Sequence, residues 1–262
     1  MPYIDLPRNG TALHYREYGE GAPLLFLHGG WGYPMYSFDA QIAALRDRFR
    51  ILIPDRTGYG RSPHLESFVP GFHELAAEEM RQFLAALNIE QCSLWGHSDG
   101  AVTAVRMAIA KPERFHSIVV EAIHYDRRKP SSRRFFETAA SDPARFGAGV
   151  AAAMAAEHGE DYWQQLMTTH GKAWLDILDT SADPARDLYS GRIGELKVPT
   201  LLIHGSADPR TEPDELKQLA TANPTVNMHV IEGATHSPHS EPASESEVTR
   251  VARSYLCKYS PR

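Results

Sequence analysis

Cysteine is nearly absent: Cys92 and Cys257 are the only two in 262 residues, and they lie far apart in the chain. A disulfide scaffold is excluded, and two free thiols in a cytoplasmic protein are expected. Long hydrophobic runs are missing as well. No stretch approaches the roughly 18–20 apolar residues that a membrane-crossing helix needs. Met1 to Gly10 holds neither a basic cluster nor an apolar core of the secretory kind, so no leader is expected there. Basic residues are in deficit, 27 Lys and Arg against 33 Asp and Glu, for a net charge of −6. That balance argues against a nucleic-acid or polyanion partner. Gly29, Gly30 and Gly32 are close together but lack the G-x-G-x-x-G or P-loop spacing, so no nucleotide and no other cofactor is expected. Internal repeats and low-complexity segments are lacking too.

What is present suits a folded α/β chain. Hydrophobic residues make up 42%, enough for a sizeable core. The length fits one domain with an insertion. Ala12 to Tyr18 reads as an edge strand. Pro23 to Leu27, Ile51 to Ile53, Cys92 to Trp95, Ser117 to Val120 and Pro199 to Gly205 are short apolar runs closed by glycine or proline, or followed by a helical pattern. Such runs suit strands buried on both faces of a parallel sheet. Thr225 to Ile231 follows as a last strand. Helical spacing covers Met35 to Arg46 (Phe38, Ile42, Leu45) and Phe72 to Leu87 (Leu75, Met80, Phe83, Leu84, Leu87). Gly100 to Ala110 and Glu245 to Leu256 are further helices, the former ended by Pro112. Strand and helix alternate, which implies a doubly wound sheet. No buried strand pattern occurs between Tyr125 and Lys197. A helical insertion of about 70 residues is therefore expected, with core segments 1–125 and 198–262 and the insertion at 126–197.

Gly96-His97-Ser98-Asp99-Gly100 fits Gly-x-Ser-x-Gly. The pentapeptide is common, but here an apolar strand precedes it and a helix follows it, the setting of a nucleophile elbow. Glycines are needed because the turn crowds the backbone. The helix start beside Ser98 aims amide donors and a positive dipole end at the site. A serine hydroxyl needs a base to take its proton, and the base needs a carboxylate to orient it. His97, next to Ser98 on a sharp turn, points elsewhere. His236 in Glu232-Gly233-Ala234-Thr235-His236 follows the last strand, and Asp208 follows the strand ending at Gly205. The chain order Ser98, Asp208, His236 is that of α/β-hydrolases. His239 is the alternative base, and Glu121 or Asp126 the alternative acid. An oxyanion would rest on the backbone N–H of Asp99 and on a second amide from His28-Gly29-Gly30-Trp31-Gly32.

Taken in order, His28-Gly29-Gly30, Asp55-Arg56-Thr57-Gly58-Tyr59-Gly60-Arg61-Ser62, the elbow, Gly205 to Asp208 and Gly233 to His236 resemble the landmarks of the α/β-hydrolase superfamily of serine hydrolases. The resemblance implies a mostly parallel eight-stranded sheet with helices on both faces and a helical cap. It also implies that Gly30 gives the second oxyanion donor and that the Asp55-Arg56 segment braces its loop. The Ser98-Asp99-Gly100 run is similar to that of valacyclovir-hydrolase-like enzymes, which implies an aspartate that receives a substrate amino group. Asp99 is thus a candidate substrate contact, with a structural hydrogen bond as the competing role for its carboxylate.

Trp31, Tyr33, Tyr36, Trp163 and Trp174 are candidates to line an apolar pocket, Trp31 foremost, although each also suits core packing. His236 and His239 lie three apart, but Pro238 and the missing third ligand argue against a metal. The basic stretch Arg127 to Arg134 reads as a solvated helix face. The expected reaction is hydrolysis of a small-molecule ester, lactone or amide. Carbon–carbon bond hydrolysis by the same residues and a ligand receptor with little turnover are the alternatives. Epoxide hydrolases and dehalogenases of the fold carry aspartate at the elbow centre, and Ser98 sets both aside. Nothing in the sequence sets an oligomeric state.

Overall fold

Alternate residues of β3 (Ala22–Leu27) enter two different cores. Leu24 and Phe26 join Phe38, Ile42 and Leu45, whereas Leu25 and Leu27 join Met80, Phe83 and Val105. Period-two burial on both faces is the mark of a central strand covered by helices on each side. The same division runs through β4 (Phe49–Pro54), β5 (Cys92–His97), β6 (Phe115–Glu121) and β7 (Thr200–Gly205). In the computed structural model, which describes residues 2–8, 10–180 and 187–261, these strands form the middle of one sheet. With β1 (Tyr3–Asp5), β2 (Ala12–Tyr18) and β8 (Asn227–Ile231) they give eight strands in the order β1-β2-β4-β3-β5-β6-β7-β8. Pairs β1–β2 and β2–β4 are antiparallel and the others parallel. Helices α1 (Asp39–Leu45) and α8 (Glu245–Tyr259) cover one face. The other is covered by α2 (Phe72–Ala86) and α3 (Asp99–Ala110).

Two expectations are corrected. Ala12–Tyr18 is not the edge, because Tyr3–Asp5 pairs outside it in the register Tyr3–His14 and Asp5–Ala12. Three residues are too few to show a period. Leu75, expected on the buried face of its helix, is 62% exposed. The strands flanking β3 connect in opposite directions, with β4 on one side and β5 on the other. The loops leaving β3 and β5 therefore part at the carboxyl ends of the strands and open a crevice between them.

Between β6 and β7 the chain runs through α4 (Pro130–Ser141), α5 (Ala148–His158) and α6 (Trp163–Asp179). Phe136 of α4 stacks on Trp174 of α6, ring centroids 4.8 Å apart. Gly171 permits that approach, since a Cβ there would lie 2.7 Å from Ala140 N. Polar contacts of Glu157, His158 and Tyr162 tie this segment to β2 and to the loops after β3 and β4. Arg16 Nη2 donates to Glu157 at 3.1 Å. Tyr162 Oη donates to Gly58 O at 3.1 Å. His158 Nδ1 accepts the Gly60 amide at 2.9 Å, so its Nε2–H donates to Trp31 O at 3.0 Å. The basic stretch divides. Arg133 is exposed and pairs with Asp179, as a solvated face predicts, but Lys129 is fully buried against Glu215, the first residue of α7 (Glu215–Ala222). Both cysteines are free. Among the described residues no helix is long and apolar enough to cross a membrane.

Candidate active site

Ser98 stands between β5 and α3 with φ 54° and ψ −120°, a left-handed conformation that costs a non-glycine residue on the order of 1–3 kcal/mol. Its neighbours show what holds it there. A Cβ on Gly96 would fall on Gly100 O, and one on Gly100 would fall on Leu27 O. The Ser98 amide donates to Glu121 O at 2.9 Å, which continues the β5–β6 pairing one residue past the strand. The turn thus lifts the hydroxyl to the carboxyl end of the sheet, at the crevice beside the loop after β3.

The three residues expected from chain order meet. His236 Nδ1–H donates to Asp208 Oδ2 at 2.8 Å, and its Nε2 accepts from Ser98 Oγ at 3.0 Å. Asp208 also accepts the Arg210 amide at 2.9 Å. Burial opposes ionisation of Asp208, but the hydrogen bond and charge of His236, the Arg210 amide and His204 together outweigh it and hold the pKa below the usual carboxylate range. Burial and then the Arg210 guanidinium push His236 down to about 4, against the opposing pull of Asp208. His236 is therefore a neutral acceptor at ordinary pH. His97 does not contact Ser98. It bonds to the His236 carbonyl at 2.9 Å and to Ser237 Oγ at 3.0 Å, and burial pushes it down to about 3.

One close neighbour has no counterpart among the sequence candidates. His124 Nε2 lies 3.3 Å from Ser98 Oγ. With the hydroxyl proton directed at His236, His124 is the donor of that contact. It lies past the end of β6, and only the sheet order, which puts β6 beside β5, brings it to the elbow. No motif marks it.

The loop after β3 is braced from below. Arg56 Nη2 donates to His28 O at 2.8 Å and to Gly29 O at 3.1 Å. Asp55 accepts from His14 at 2.7 Å, from Arg16, and from the Arg61 amide at 3.0 Å. Neither the Gly30 nor the Asp99 amide donates to an acceptor among the described residues. Both residues line one cavity with Ser98, Trp31, Tyr36, His124, Trp174 and Arg210. Tyr33 and Trp163 pack in the core instead.

The Asp99 side chain is held from two directions. Oδ1 accepts from His73 Nε2 of α2 at 2.9 Å, and Oδ2 from His170 Nε2 of α6 at 2.7 Å. Burial works against its ionisation, and the two imidazoles outweigh it, so the pKa lies well below the usual carboxylate range. Gly30 is required beside this pair, for a Cβ there would fall on Asp99 Oδ2 and 2.6 Å from His170 Cε1. A substrate amine would have to share Asp99 oxygens that each already accept one imidazole N–H.

The alternative base and acid find each other and not Ser98. His239 donates from Nδ1 to Glu121 Oε1 at 2.8 Å and from Nε2 to Tyr36 O at 3.0 Å. Burial lowers the His239 pKa, but the Glu121 charge and hydrogen bond, the Tyr36 carbonyl and the Glu241 charge together outweigh it, so the net shift is upward. An imidazolium with both protons in use has no lone pair for a metal, although His97, Glu121 and His239 place ligand atoms within 4.8 Å of one another. Asp126 bridges to Asp187 through the backbone.

A serine on a strained strand-to-helix turn, a neutral imidazole and a buried carboxylate, set at the carboxyl ends of an eight-stranded sheet, define the α/β-hydrolase class. Residues 24–246 match the alpha/beta hydrolase family, and the chain belongs to it: it is a hydrolase of α/β fold. Among curated proteins it is similar to serine hydrolase BPHL of Mus musculus, 28% identical over 244 residues, covering 90% of this chain and 81% of the relative. An epoxide hydrolase of Caballeronia sordidicola is 29% identical over 210 residues, 73% of this chain and 60% of the relative. Among solved structures, a meta-cleavage product hydrolase from Pseudomonas fluorescens IP01 superposes with a TM-score of 0.76 over 98% of each chain at 19% identity.

Proposed function

We propose that this chain is a serine hydrolase that cleaves a small-molecule carboxylic ester, lactone or amide through an acyl-enzyme. The observation that carries the reading is the unbroken hydrogen-bond path Ser98 Oγ–His236–Asp208, at 3.0 and 2.8 Å. In this reading His236 takes the Ser98 proton as Oγ attacks the carbonyl carbon. Asp208 holds the imidazole in the Nδ1–H tautomer and stabilises the imidazolium. The amides of Gly30 and Asp99, without acceptors among the described residues, receive the oxyanion, each worth roughly 3 kcal/mol of barrier. His236 then protonates the leaving group, and water activated by the same imidazole releases the acid. Residues 126–197 act as a cap: α4 and α6 bring Phe135, Phe136, His170 and Trp174 over Ser98. Ser98 at the elbow separates this chain from the aspartate chemistry of epoxide opening.

A fluorophosphonate probe tests the reading. Stoichiometric labelling at Ser98 is the expected result; an unlabelled Ser98 in folded protein would count against an enzyme and for a receptor. A panel of esters and vinylogous diketones then separates acyl transfer from carbon–carbon cleavage.

The acidic limb of the pH profile follows from His236. The base must be neutral, so kcat/KM falls about tenfold per pH unit once the pH drops below about 4 and is flat above it. Arg210, Asp208, His204, His124 and His97 are the titratable or charged groups around the ring. Removing the guanidinium in Arg210→Gln removes a charge that disfavours imidazolium, so the limb moves to higher pH. A limb that stays in place would separate Arg210 from His236 electrostatically.

A further inference from the structure

We propose that the Ser98 cavity is built for an acidic substrate, an ester or lactone carrying a carboxylate that Arg210 receives. The inference rests on the serine hydrolase reading and deepens it by naming the substrate class.

Arg210 lies two residues past Asp208 and lines the same cavity as Ser98. Its guanidinium has neither a carboxylate partner nor a hydrogen-bond acceptor among the described residues. What it has is aromatic contact: its Cζ stands 3.8 Å from the Phe135 ring centroid and 5.8 Å from that of Trp31. Stacking uses the face of the guanidinium and leaves the N–H donors around its edge free to take a carboxylate two-pronged. The backbone beneath is fixed. The Arg210 amide donates to Asp208 at 2.9 Å, and its carbonyl accepts from Lys129 Nζ at 3.0 Å and Ser132 Oγ at 3.3 Å. The donor edge is therefore preorganised rather than free to wander.

The other charges of the cavity leave Arg210 without a counter-ion among the described residues. Asp99 has both oxygens engaged by His73 and His170. Asp208 is directed at His236. The rings of His97, His124 and His236 are neutral, all three pushed below the ordinary histidine value first by burial. Among the described residues, Arg210 thus faces the cavity unpaired, and each cavity carboxylate already has its own partners. Partly removing a cation from water without a partner is unfavourable, and a carboxylate brought in by the substrate reverses that cost. An amine at the same place would meet a cation and two capped oxygens.

The test compares half-esters of straight-chain diacids from succinate to adipate with their dimethyl esters, and acetyl esters of hydroxy acids with the corresponding methyl esters. The wild type is expected to prefer at least one charged member over its neutral pair. In Arg210→Gln the ratio of kcat/KM for charged over neutral substrate falls on the order of 30-fold, the value of a charge-assisted hydrogen bond. The ratio is read because both substrates use the same triad, so any damage to His236 cancels. Arg210→Lys, which keeps the charge but loses the fork, retains an intermediate ratio. A ratio that Arg210→Gln leaves unchanged, or a wild type indifferent to charge, overturns the inference. Binding of glutarate and adipate, measured by calorimetry on wild type and Arg210→Gln, gives a readout without turnover. Affinity that depends on Arg210 supports the inference even if Ser98 resists the fluorophosphonate, and equal affinity overturns it. Neutral esters cleaved without preference for acids would end this inference and leave the serine hydrolase reading standing.

Discussion

Ser98→Ala is expected to lower kcat by on the order of 10⁶, roughly 8 kcal/mol of barrier, with little change in KM or in thermal stability. The size follows from the division of labour in the proposed mechanism. Without Oγ no acyl-enzyme forms, and His236 has no hydroxyl to deprotonate. What survives is the ability of the Gly30 and Asp99 amides to polarise a bound carbonyl, about 10³–10⁴ over water in comparable sites. The fold tolerates the change, since Ser98 contributes only its hydroxyl to His236 and His124 and its backbone to the β5–β6 pairing. His236→Ala is expected to cost about as much, and the double variant hardly more, because the two act as one unit. Steady-state and single-turnover rates on the best ester of the panel measure this. Near-wild-type turnover by Ser98→Ala would place the nucleophile elsewhere.

Glu215→Ala is expected to destabilise the fold by about 3–5 kcal/mol, a fall in Tm on the order of 10 °C, read by thermal melting. Glu215 accepts from the amides of Tyr125 at 2.6 Å, Asp126 at 2.9 Å and Glu212 at 3.0 Å, and from the buried Lys129 ammonium. Truncating it strands a cation that water cannot reach and two amides at the start of the insertion. Adding Lys129→Met to Glu215→Ala removes the stranded charge and is expected to recover part of the loss, since an apolar replacement of a buried pair is often tolerated. Lys129 also donates to the carbonyl of Arg210, in the loop that carries Asp208. Activity is therefore expected to fall at temperatures where the variant is still folded. A loss below about 1 kcal/mol would mean that the pair is far wetter than its burial indicates.

The core strands were legible because a parallel strand buried on both faces is mostly apolar: β3 is apolar throughout, and β5 and β7 carry the apolar centres Leu94-Trp95 and Leu201-Leu202-Ile203. The serine and aspartate candidates were legible because each follows such a strand, and the histidine because it comes after the last strand in the chain order of α/β-hydrolases, although β8 itself is largely exposed. Leu75 misled for a physical reason: a helical stripe states which residues share a face, not how far the neighbouring element extends to cover them. Tyr3–Asp5 was hidden by its shortness, and with it the true edge of the sheet. His239 and Glu121 were reasonable substitutes on spacing alone. Their mutual pairing was settled by the packing of the loop after β8 against the end of β6, a contact across 118 residues.

The sequence alone determined the candidate reaction-bearing elements: a strained Gly-x-Ser-x-Gly turn, an apolar sheet to hold it, and a histidine and aspartate after later strands. Local backbone sterics and hydrophobic period carry that information, and both act between near neighbours. Tertiary structure alone decided the environment of those groups. It set His124 against Ser98, gave each Asp99 oxygen an imidazole donor from His73 or His170, and left Arg210 stacked on Phe135 without a counter-ion among the described residues. These contacts join residues 26 to 75 positions apart, from different layers of the fold. Charge pairing and desolvation depend on distance in space, and the sheet order and the docking of α4 and α6 set that distance.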